Sequence, residues 1–361
     1  MNVAIIGAGL SGMACAHELE QHGIHPTIFE KRHVVGETYH HVGALLQLIY
    51  RPIKEPLSYI RKNFNIHLAP LAPLTSVEMN TVNRTRTIHG NLGWLFKRGQ
   101  DPGTVENQLA SQIKSRIIFN TFATLDELKD QYDYVIVATG NNSMIPTSLG
   151  ISTPILQTWV RGQVVLGEFN PNKLVMWTNT NYMKNGYAYL TPFSKERASI
   201  ILIVPNTTKE ELEYYWNLFV DLEKLNYTVI EQFEEDHTAN HVYPKQVGNA
   251  IFVGTAGGFL DPFLGFGQFS ALASGHLAAR AIITGQPFEE LAKELSGIMK
   301  SSIAIRDRIN TLDNKKYDVL VTLLGNPIVS KLVYNTNINY LKFTSESLTL
   351  LNKLFPIKPN Q

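Results

Sequence analysis

Short, unbroken apolar runs occur at three widely separated places in the chain. Residues 2–6, 134–138 and 249–254 are rich in Val, Ile and Ala, and a glycine closes each run. Runs of this length predict strands that are buried on both faces, as in a parallel sheet. Residues 13–22 predict a helix after the first run and residues 26–29 a second strand, so the chain is predicted to begin with a βαβ unit.

The segments between these runs have a different pattern. β-branched and aromatic residues separated by turn residues predict a mainly antiparallel sheet, with strands near residues 75–79, 84–89, 94–97, 163–166, 173–177, 186–190 and 198–204. Gly90 and Asn91 are expected to form one of the turns. Helices are predicted at residues 104–114, 209–225 and 268–283, from Pro287 to about residue 309, and in the apolar tail from residue 317.

Length and composition exclude several classes of protein. The 361 residues predict two domains. A net charge of +1, without basic patches that contain interleaved aromatics, argues against a nucleic-acid partner. The single cysteine excludes an intramolecular disulfide and a zinc site of several cysteines. No apolar run reaches the ~18 residues of a membrane span, and no signal peptide is recognised, so a cytoplasmic location is expected.

The first apolar run leads into Gly7, Gly9 and Gly12, with Leu10 and Ser11 between the last two. Gly7 permits a tight turn out of the strand, Gly9 lets the backbone approach a pyrophosphate, and Gly12 lets the helix pack close to the strand. The helix N-terminus then presents N–H groups and partial positive charge to the phosphates. This arrangement predicts a dinucleotide site.

The acidic residue after the second predicted strand indicates which nucleotide binds. Glu30 follows Gly9 by 21 residues, close to the ~20 at which such sites place the carboxylate that accepts hydrogen bonds from a ribose. A carboxylate repels a 2′-phosphate, which favours FAD or NAD. Lys31 and Arg32 come next, and two interpretations stay open for them: contacts to an NADP phosphate, or a solvated basic pair.

A second glycine-rich loop, residues 253–268, follows the third apolar run and precedes a helix of small residues. Its backbone N–H groups and the helix N-terminus form another site that favours anions. An extended cofactor with a pyrophosphate at one end and an electron-accepting ring at the other can use two such loops, whereas a compact mononucleotide needs one. The pair of loops therefore favours FAD.

With these two loops the sequence resembles the geranylgeranyl reductase family of FAD-dependent oxidoreductases, within the aromatic-hydroxylase-type flavoprotein superfamily. The family's late motif has the form G-D-A-A-G-…-D-P-…-G-x-G, and the matching residues here are Gly254, Ala256, Gly258, Asp261, Pro262, Gly265 and Gly267. The resemblance covers most of the chain. It implies an α/β fold, in which a Rossmann-like FAD-binding domain carries an inserted, mainly antiparallel β-sheet substrate domain and C-terminal helices.

The resemblance also implies roles for particular residues. Arg98 lies where such proteins place an arginine beside the flavin, and Tyr187, Tyr189 and Phe193 fall in a segment similar to the family's aromatic motif on the substrate side. Ordinary core packing is the alternative for these aromatics. The predicted cofactor contacts are Gly7, Gly9, Leu10, Ser11, Gly12, Glu30, Lys31, Arg32, Arg98, Ala138, Thr139, Gly140, Gly254, Thr255, Asp261, Pro262, Gly265 and Gly267.

Two positions depart from the family pattern. The aspartate that holds the ribityl chain in the family is Thr255 here, which can hydrogen-bond but carries no charge. The cysteine that many geranylgeranyl reductases carry after the first acid is absent from residues 35–43. These departures leave open a flavin- or lipid-binding protein without turnover.

Few side chains need to be catalytic, because a flavin carries the redox chemistry. Backbone N–H groups of residues 262–267 are expected to stabilise negative charge on the reduced flavin. His40 and His41 are the predicted catalytic residues, since histidine can move a proton near neutral pH, and a surface loop or structural hydrogen bond is the alternative. His237 and His241 have a metal-ligand spacing but no third ligand, so they are expected in a loop and no metal is predicted.

The apolar tail has two interpretations. Residues 319–333 are expected to pack on the protein's own core. The alternative is a peripheral membrane contact, in which Lys331, Lys342, Lys353 and Lys358 meet anionic lipid. Charged residues make up 17% of the chain, against ~25% in typical soluble domains, which fits contact with something apolar.

These observations predict an FAD-dependent oxidoreductase that acts on a small apolar or lipid-like substrate and takes electrons from a separate donor, for which NAD(P)H is the candidate. Reduction of prenyl double bonds is the leading hypothesis, and a monooxygenase that uses NAD(P)H and oxygen is the alternative. The FAD-binding domain is predicted from residues 1–74, 98–156 and 241–310, the substrate domain from 75–97 and 157–240, and a C-terminal helical tail from 311–361.

Overall fold

The computed structural model describes residues 1–36, 39–141 and 144–335. Its strands are β1 Val3–Ile6, β2 Thr27–Phe29, β3 His41–Leu46, β4 Ala72–Thr81, β5 Thr85–Arg98, β6 Ile117–Ile118, β7 Tyr134–Val137, β8 Ser152–Leu166, β9 Lys173–Thr178, β10 Tyr187–Pro192, β11 Arg197–Pro205, β12 Thr228–Val242, β13 Gln246–Val247 and β14 Ala250–Phe252. Its helices are α1 Leu10–Gln21, α2 Pro56–Phe64, α3 Val105–Ala110, α4 Leu125–Leu128, α5 Met144–Ser148, α6 Thr180–Met183, α7 Lys209–Leu222, α8 Gln268–Thr284, α9 Phe288–Leu291, α10 Lys293–Ile309, α11 Asn314–Leu324 and α12 Pro327–Asn335.

The smaller of two sheets holds the three apolar runs of the sequence, in the order β13-β14-β7-β1-β2-β6. Its strands from β14 to β6 are parallel, and β13 adds antiparallel to β14. Ile5 and Ile136 face a core shared with α1 and α8, whereas Ala4 and Val135 face a second core that includes α4. Burial on both faces explains the unbroken apolar runs. The predicted α/β class with a Rossmann-like sheet is confirmed.

The larger sheet has the order β12-β8-β11-β10-β9-β4-β5-β3, and every neighbouring pair is antiparallel except β4 with β9. On one face, Trp216 of α7 packs in the same core as Ile200 and Leu202 of β11. On the other face, Ile201 and Ile203 line a cavity that lies towards the smaller sheet. The mainly antiparallel sheet predicted from the sequence therefore has α7 on one face and the cavity on the other.

Several segments differ from their predictions. Gly90 and Asn91 form no turn, because β5 is one continuous strand that pairs with β4 on both sides of these residues, with a register shift between the two parts, and with β3 along its last part. β3 falls within the segment predicted for the FAD-binding domain, yet its pairing with β5 places it in the larger sheet. The helix predicted from Pro287 is divided at Ala292 into α9 and α10. The predicted domain boundaries stay predictions.

The C-terminal helices pack on the larger sheet, as expected for the apolar tail. Tyr317 and Val321 of α11 are buried, whereas Val319 and Ile328 are exposed. Residues 336–361, with Lys342, Lys353 and Lys358, lie outside the described residues. Within the part of the chain that is described, no helix is both long enough and apolar enough to cross a membrane.

Helices α1 and α8 approach each other almost to backbone contact. Gly275 of α8 faces α1, and a Cβ atom added there would lie 2.0 Å from the carbonyl oxygen of Ser11 and 3.1 Å from the amide nitrogen of Cys15. Both distances are shorter than a normal van der Waals contact, so no larger residue fits without separating the helices.

We expect Gly275→Ala to lower the free energy of unfolding by about 2 kcal/mol or more, because a methyl group overpacks the contact with a rigid backbone. Gly297→Ala is the matched control in α10. A Cβ at Gly297 meets no atom within 4 Å, so this change should stabilise the protein by about 0.5–1 kcal/mol through helix propensity. Urea unfolding of both variants measures the difference, and equal effects would contradict the account.

Candidate active site

A cavity of about 770 Å³ lies between the two sheets, within the size range of small-molecule sites. Both glycine loops, the end of β7 and the inner face of the larger sheet line it. All but Gly12 of the predicted cofactor contacts line it, namely Gly7, Gly9, Leu10, Ser11, Glu30, Lys31, Arg32, Arg98, Ala138, Thr139, Gly140, Gly254, Thr255, Asp261, Pro262, Gly265 and Gly267. The structure thus brings together residues that are up to 260 positions apart in sequence.

The three glycines of the first loop have different roles. Gly7 has a φ of +108°, and an added Cβ would lie 2.4 Å from the Ala138 carbonyl oxygen. A Cβ at Gly12 would lie 2.1 Å from the Gly7 carbonyl oxygen. A Cβ at Gly9, in contrast, would meet no atom within 4 Å. Gly7 and Gly12 are therefore required by the fold itself, whereas Gly9 keeps cavity space open beside the N-terminus of α1, where a pyrophosphate fits.

Hydrogen bonds from backbone N–H groups hold the Glu30 carboxylate beside the first glycine loop. Its Oε2 accepts a hydrogen bond from the Ala8 N–H at 2.8 Å, and its Oε1 accepts one from the Arg32 N–H at 2.9 Å. A carboxylate has about four acceptor positions, so two remain for ribose hydroxyls. The Arg32 guanidinium donates to the Gly36 carbonyl at 2.7 Å, which favours a structural role over contact with a 2′-phosphate.

The second loop is anchored against α1 and α8. Gly254 has a φ of +58°, and an added Cβ would lie 2.6 Å from the Ser11 hydroxyl oxygen. Its N–H donates to the Ser274 hydroxyl of α8 at 2.9 Å. The two glycine loops are therefore in direct contact, and a single extended ligand can touch both.

The buried carboxyl of Asp261 organises the rest of this loop. Its two oxygens accept the N–H groups of Phe263 and Leu264, each at 3.1 Å, and its backbone carbonyl accepts the Gly265 N–H at 2.8 Å. Burial raises the pKa of Asp261. Three of the backbone N–H groups that were expected to stabilise a reduced flavin therefore donate to Asp261 instead. Pro262 has no backbone N–H group.

Two of the three predicted substrate-side aromatics meet at the cavity. The rings of Tyr187 and Tyr189 stack with centroids 5.7 Å apart, and both line the cavity. The Tyr187 hydroxyl donates to the Leu264 carbonyl, which joins the larger sheet to the second loop. Phe193 does not line the cavity, because it packs in a separate core with the Arg197 guanidinium 4.4 Å from its ring centroid.

The two predicted catalytic histidines have different surroundings. His40 does not line the cavity, and its ring nitrogens lie 2.9 Å from Glu231 and 3.2 Å from Asp101. His41 lines the cavity, where burial and the positive charge of Arg98 lower its pKa to about 3. His41 is therefore uncharged at neutral pH. The catalytic role of both residues stays a prediction.

A polar and aromatic cluster, formed by residues of β12 and by Tyr39 from the loop before β3, was not predicted from the sequence. Tyr39 stacks on Phe233 at 4.0 Å between ring centroids, its hydroxyl donates to Glu235, and His237 lies 3.3 Å from Glu235. The alternation of Phe233, Glu235 and His237 along one strand face is the signal that would have found it. The expectation that His237 and His241 lie in a loop was wrong, since both are on β12. The described residues contain no group able to hold a metal.

Comparison with known proteins agrees with this arrangement. Residues 1–170 match the family described as pyridine nucleotide-disulphide oxidoreductase. The chain is 21% identical to digeranylgeranylglycerophospholipid reductase 3 of Methanosphaera stadtmanae, and the alignment covers 98% of each chain. The expected resemblance to geranylgeranyl reductases and related flavoproteins is confirmed.

Solved structures show the same fold. A geranylgeranyl bacteriochlorophyll reductase-like protein of Thermoplasma acidophilum superimposes with a TM-score of 0.74 at 15% identity, over 98% of this chain and 96% of that one. Aklavinone-11 hydroxylase in complex with FAD and aklavinone gives a TM-score of 0.59 at 16% identity, over 85% of this chain and 68% of that one.

Gly9→Val is expected to abolish FAD binding while leaving the protein folded. The backbone of Gly9 has a φ of −82°, which valine adopts readily, and no protein atom obstructs the side chain. Gly12→Val should instead unfold the chain, because its Cβ meets the Gly7 carbonyl. Retained flavin absorbance after gel filtration and the melting temperature separate the two effects. Full retention of FAD by Gly9→Val would overturn the role assigned to the loop.

His41 should make the fold sensitive to acid. Its pKa is about 3 in the folded protein against an ordinary 6.5, so between these values the unfolded chain binds more protons. Stability contributed by neutral His41 is then present above pH 6.5 and is lost as pH falls towards 3. We expect His41→Gln to lose less stability than wild type between pH 7.5 and pH 5, by up to about 2 kcal/mol in urea unfolding. Parallel pH profiles would contradict this assignment.

Proposed function

We propose that this FAD-dependent oxidoreductase of the geranylgeranyl reductase type reduces carbon–carbon double bonds in an apolar lipid, with prenyl chains as the substrate class. The observation that carries the proposal is the continuity of the cavity. At one end it reaches the glycine loops, and at the other it is bounded by apolar and aromatic side chains of the larger sheet, namely Val160, Tyr187, Tyr189, Ile201, Ile203 and Phe233. A prenyl chain matches such a lining because it is apolar and long.

The cofactor residues follow from the cavity's polar end. Bound FAD supplies the electron pair for the reduction. We assign the pyrophosphate to the backbone around Gly9 and the N-terminus of α1, and the adenosine ribose to Glu30. Thr255, in place of the family's aspartate, also lines the cavity, so its hydroxyl is available for an uncharged hydrogen bond.

Reduction of a double bond needs an electron pair and two protons, and a hydride from a reduced flavin would bring one of the two protons. His41 is the proposed proton-transfer residue because, unlike His40, it lines the cavity. As a neutral imidazole it carries one N–H and one acceptor nitrogen. Glu235 and His237, which are in contact, line the same cavity and connect through Tyr39 to the loop before β3, which gives a route for replacing that proton.

A monooxygenase is the second candidate function. The fold likeness to aklavinone-11 hydroxylase favours it. It requires NAD(P)H to reduce the flavin and oxygen to reoxidise it, whereas double-bond reduction proceeds without oxygen. We further propose that NAD(P)H is the electron donor. We also propose that the exposed side chains of Val319 and Ile328 contact a membrane that holds the lipid.

The test is turnover of a geranylgeranyl-chain lipid by FAD-loaded protein under anaerobic conditions, with dithionite or NADPH as reductant. Mass spectrometry should show a gain of two hydrogens per reduced double bond. The flavin-free Gly9→Val variant is the control. Product that forms only in air and contains an added oxygen would favour the monooxygenase. A reduced bound flavin that no prenyl lipid reoxidises would overturn the proposal.

A further inference from the structure

Arg306 of α10 is a charged residue that neither the proposed chemistry nor the sequence motifs use. Its side chain is only 4% exposed, and it lines the cavity. Its Nε and Nη2 donate to the Asn310 amide oxygen at 2.9 and 2.6 Å, and Nη2 also donates to the Asn185 carbonyl. These partners are neutral. The Nη1 group makes no hydrogen bond within residues 1–36, 39–141 and 144–335.

The acidic groups near Arg306 do not neutralise it by direct contact. Tyr317, Tyr187, Asp261 and Asp307 all influence it electrostatically, but no carboxylate of the described chain lies within 4.0 Å of its guanidinium. Asp261 is the buried one, and both of its oxygens already accept the N–H groups of Phe263 and Leu264. The guanidinium is therefore held in a fixed orientation by neutral acceptors and has no carboxylate counter-ion among the described residues.

A buried positive charge without a counter-ion is unfavourable, unless a ligand completes the site. Three of the backbone donors that the loop was expected to provide are already used, because Asp261 accepts the N–H groups of Phe263, Leu264 and Gly265. Arg306 is thus a buried positive charge that this part of the cavity offers to an anion.

We propose that Arg306 is the recognition residue for an anionic oxygen in the cavity. This inference rests on the proposed function and deepens it. Two sources share the required chemistry: the reduced flavin, which carries negative charge, and a carboxylate or phosphate group of the lipid substrate. Arg306 is a positioning and charge-stabilising residue in either case, and the two sources give different results in the measurements below.

The experiment compares Arg306→Met with wild type in FAD-loaded protein, so that the glycine loop's own anion site is filled. One measurement is the two-electron midpoint potential of the bound flavin. The other is the affinity for inorganic phosphate and for acetate, from changes in flavin absorbance. If the flavin is the source, the reduced form should be disfavoured at least tenfold, which lowers the potential by about 30 mV. If the substrate is the source, anion affinity should fall at least tenfold.

Arg308→Met is the matched control, since Arg308 lies on the same helix but does not line the cavity. It should change neither quantity, and Arg306→Lys should restore part of what Arg306→Met loses, because it keeps the charge. Either of the two losses supports the proposal. If Arg306→Met changes neither potential nor anion affinity and lowers only the melting temperature, Arg306 is a structural brace and the proposal is wrong.

A second variant and a second measurement cover two cases, a variant that does not fold and a protein that does not bind FAD. If Arg306→Met does not fold, Arg306→Gln replaces it, because glutamine is neutral but still has N–H groups for the Asn185 carbonyl. If wild-type protein takes up no FAD, the proposed function fails. Anion binding is then measured from the melting temperature of protein saturated with ADP, which fills the glycine loop. That result alone then decides whether Arg306 recognises an anion.

Discussion

The close approach of α1 and α8 is the constraint on which the site depends. Gly275 lets the two helix backbones touch at Ser11, and the Ser274 hydroxyl beside it holds the Gly254 amide. As a result the two glycine loops, 240 residues apart in sequence, share one end of one cavity. Glu30 and the aromatic residues Tyr187 and Tyr189 of β10 line this same cavity.

The parts of the fold predicted from the sequence are those with strong local signals. Strands buried on both faces gave unbroken apolar runs, and the glycines marked turns that other residues cannot adopt, as Gly7 and Gly12 show through their contacts. The residues that line the glycine-loop end of the cavity were therefore foreseeable almost one by one, and their contact with a cofactor stays a prediction. Thr255 and the missing cysteine were visible as departures, although their chemical consequence was not.

The remaining features depend on long-range pairing, which local sequence does not encode. Gly90 and Asn91 have turn propensity, but β4 pairs with β5 on both sides of them and keeps the strand extended. Phe193 belongs to an aromatic segment, yet it packs in a core away from the cavity. The burial of Arg306, whose guanidinium donates to the Asn185 carbonyl of a distant segment, likewise follows from tertiary contacts.

The central claim is that one cavity holds FAD across both loops. The most direct measurement is the absorption spectrum of the purified protein, followed by chromatography of the cofactor that denaturation releases. The account predicts a flavin spectrum and the release of FAD, in about one equivalent per chain. A colourless protein that also takes up no added FAD would contradict it. The cavity would then be a lipid-binding site, and Thr255 would mark the position at which cofactor binding was lost.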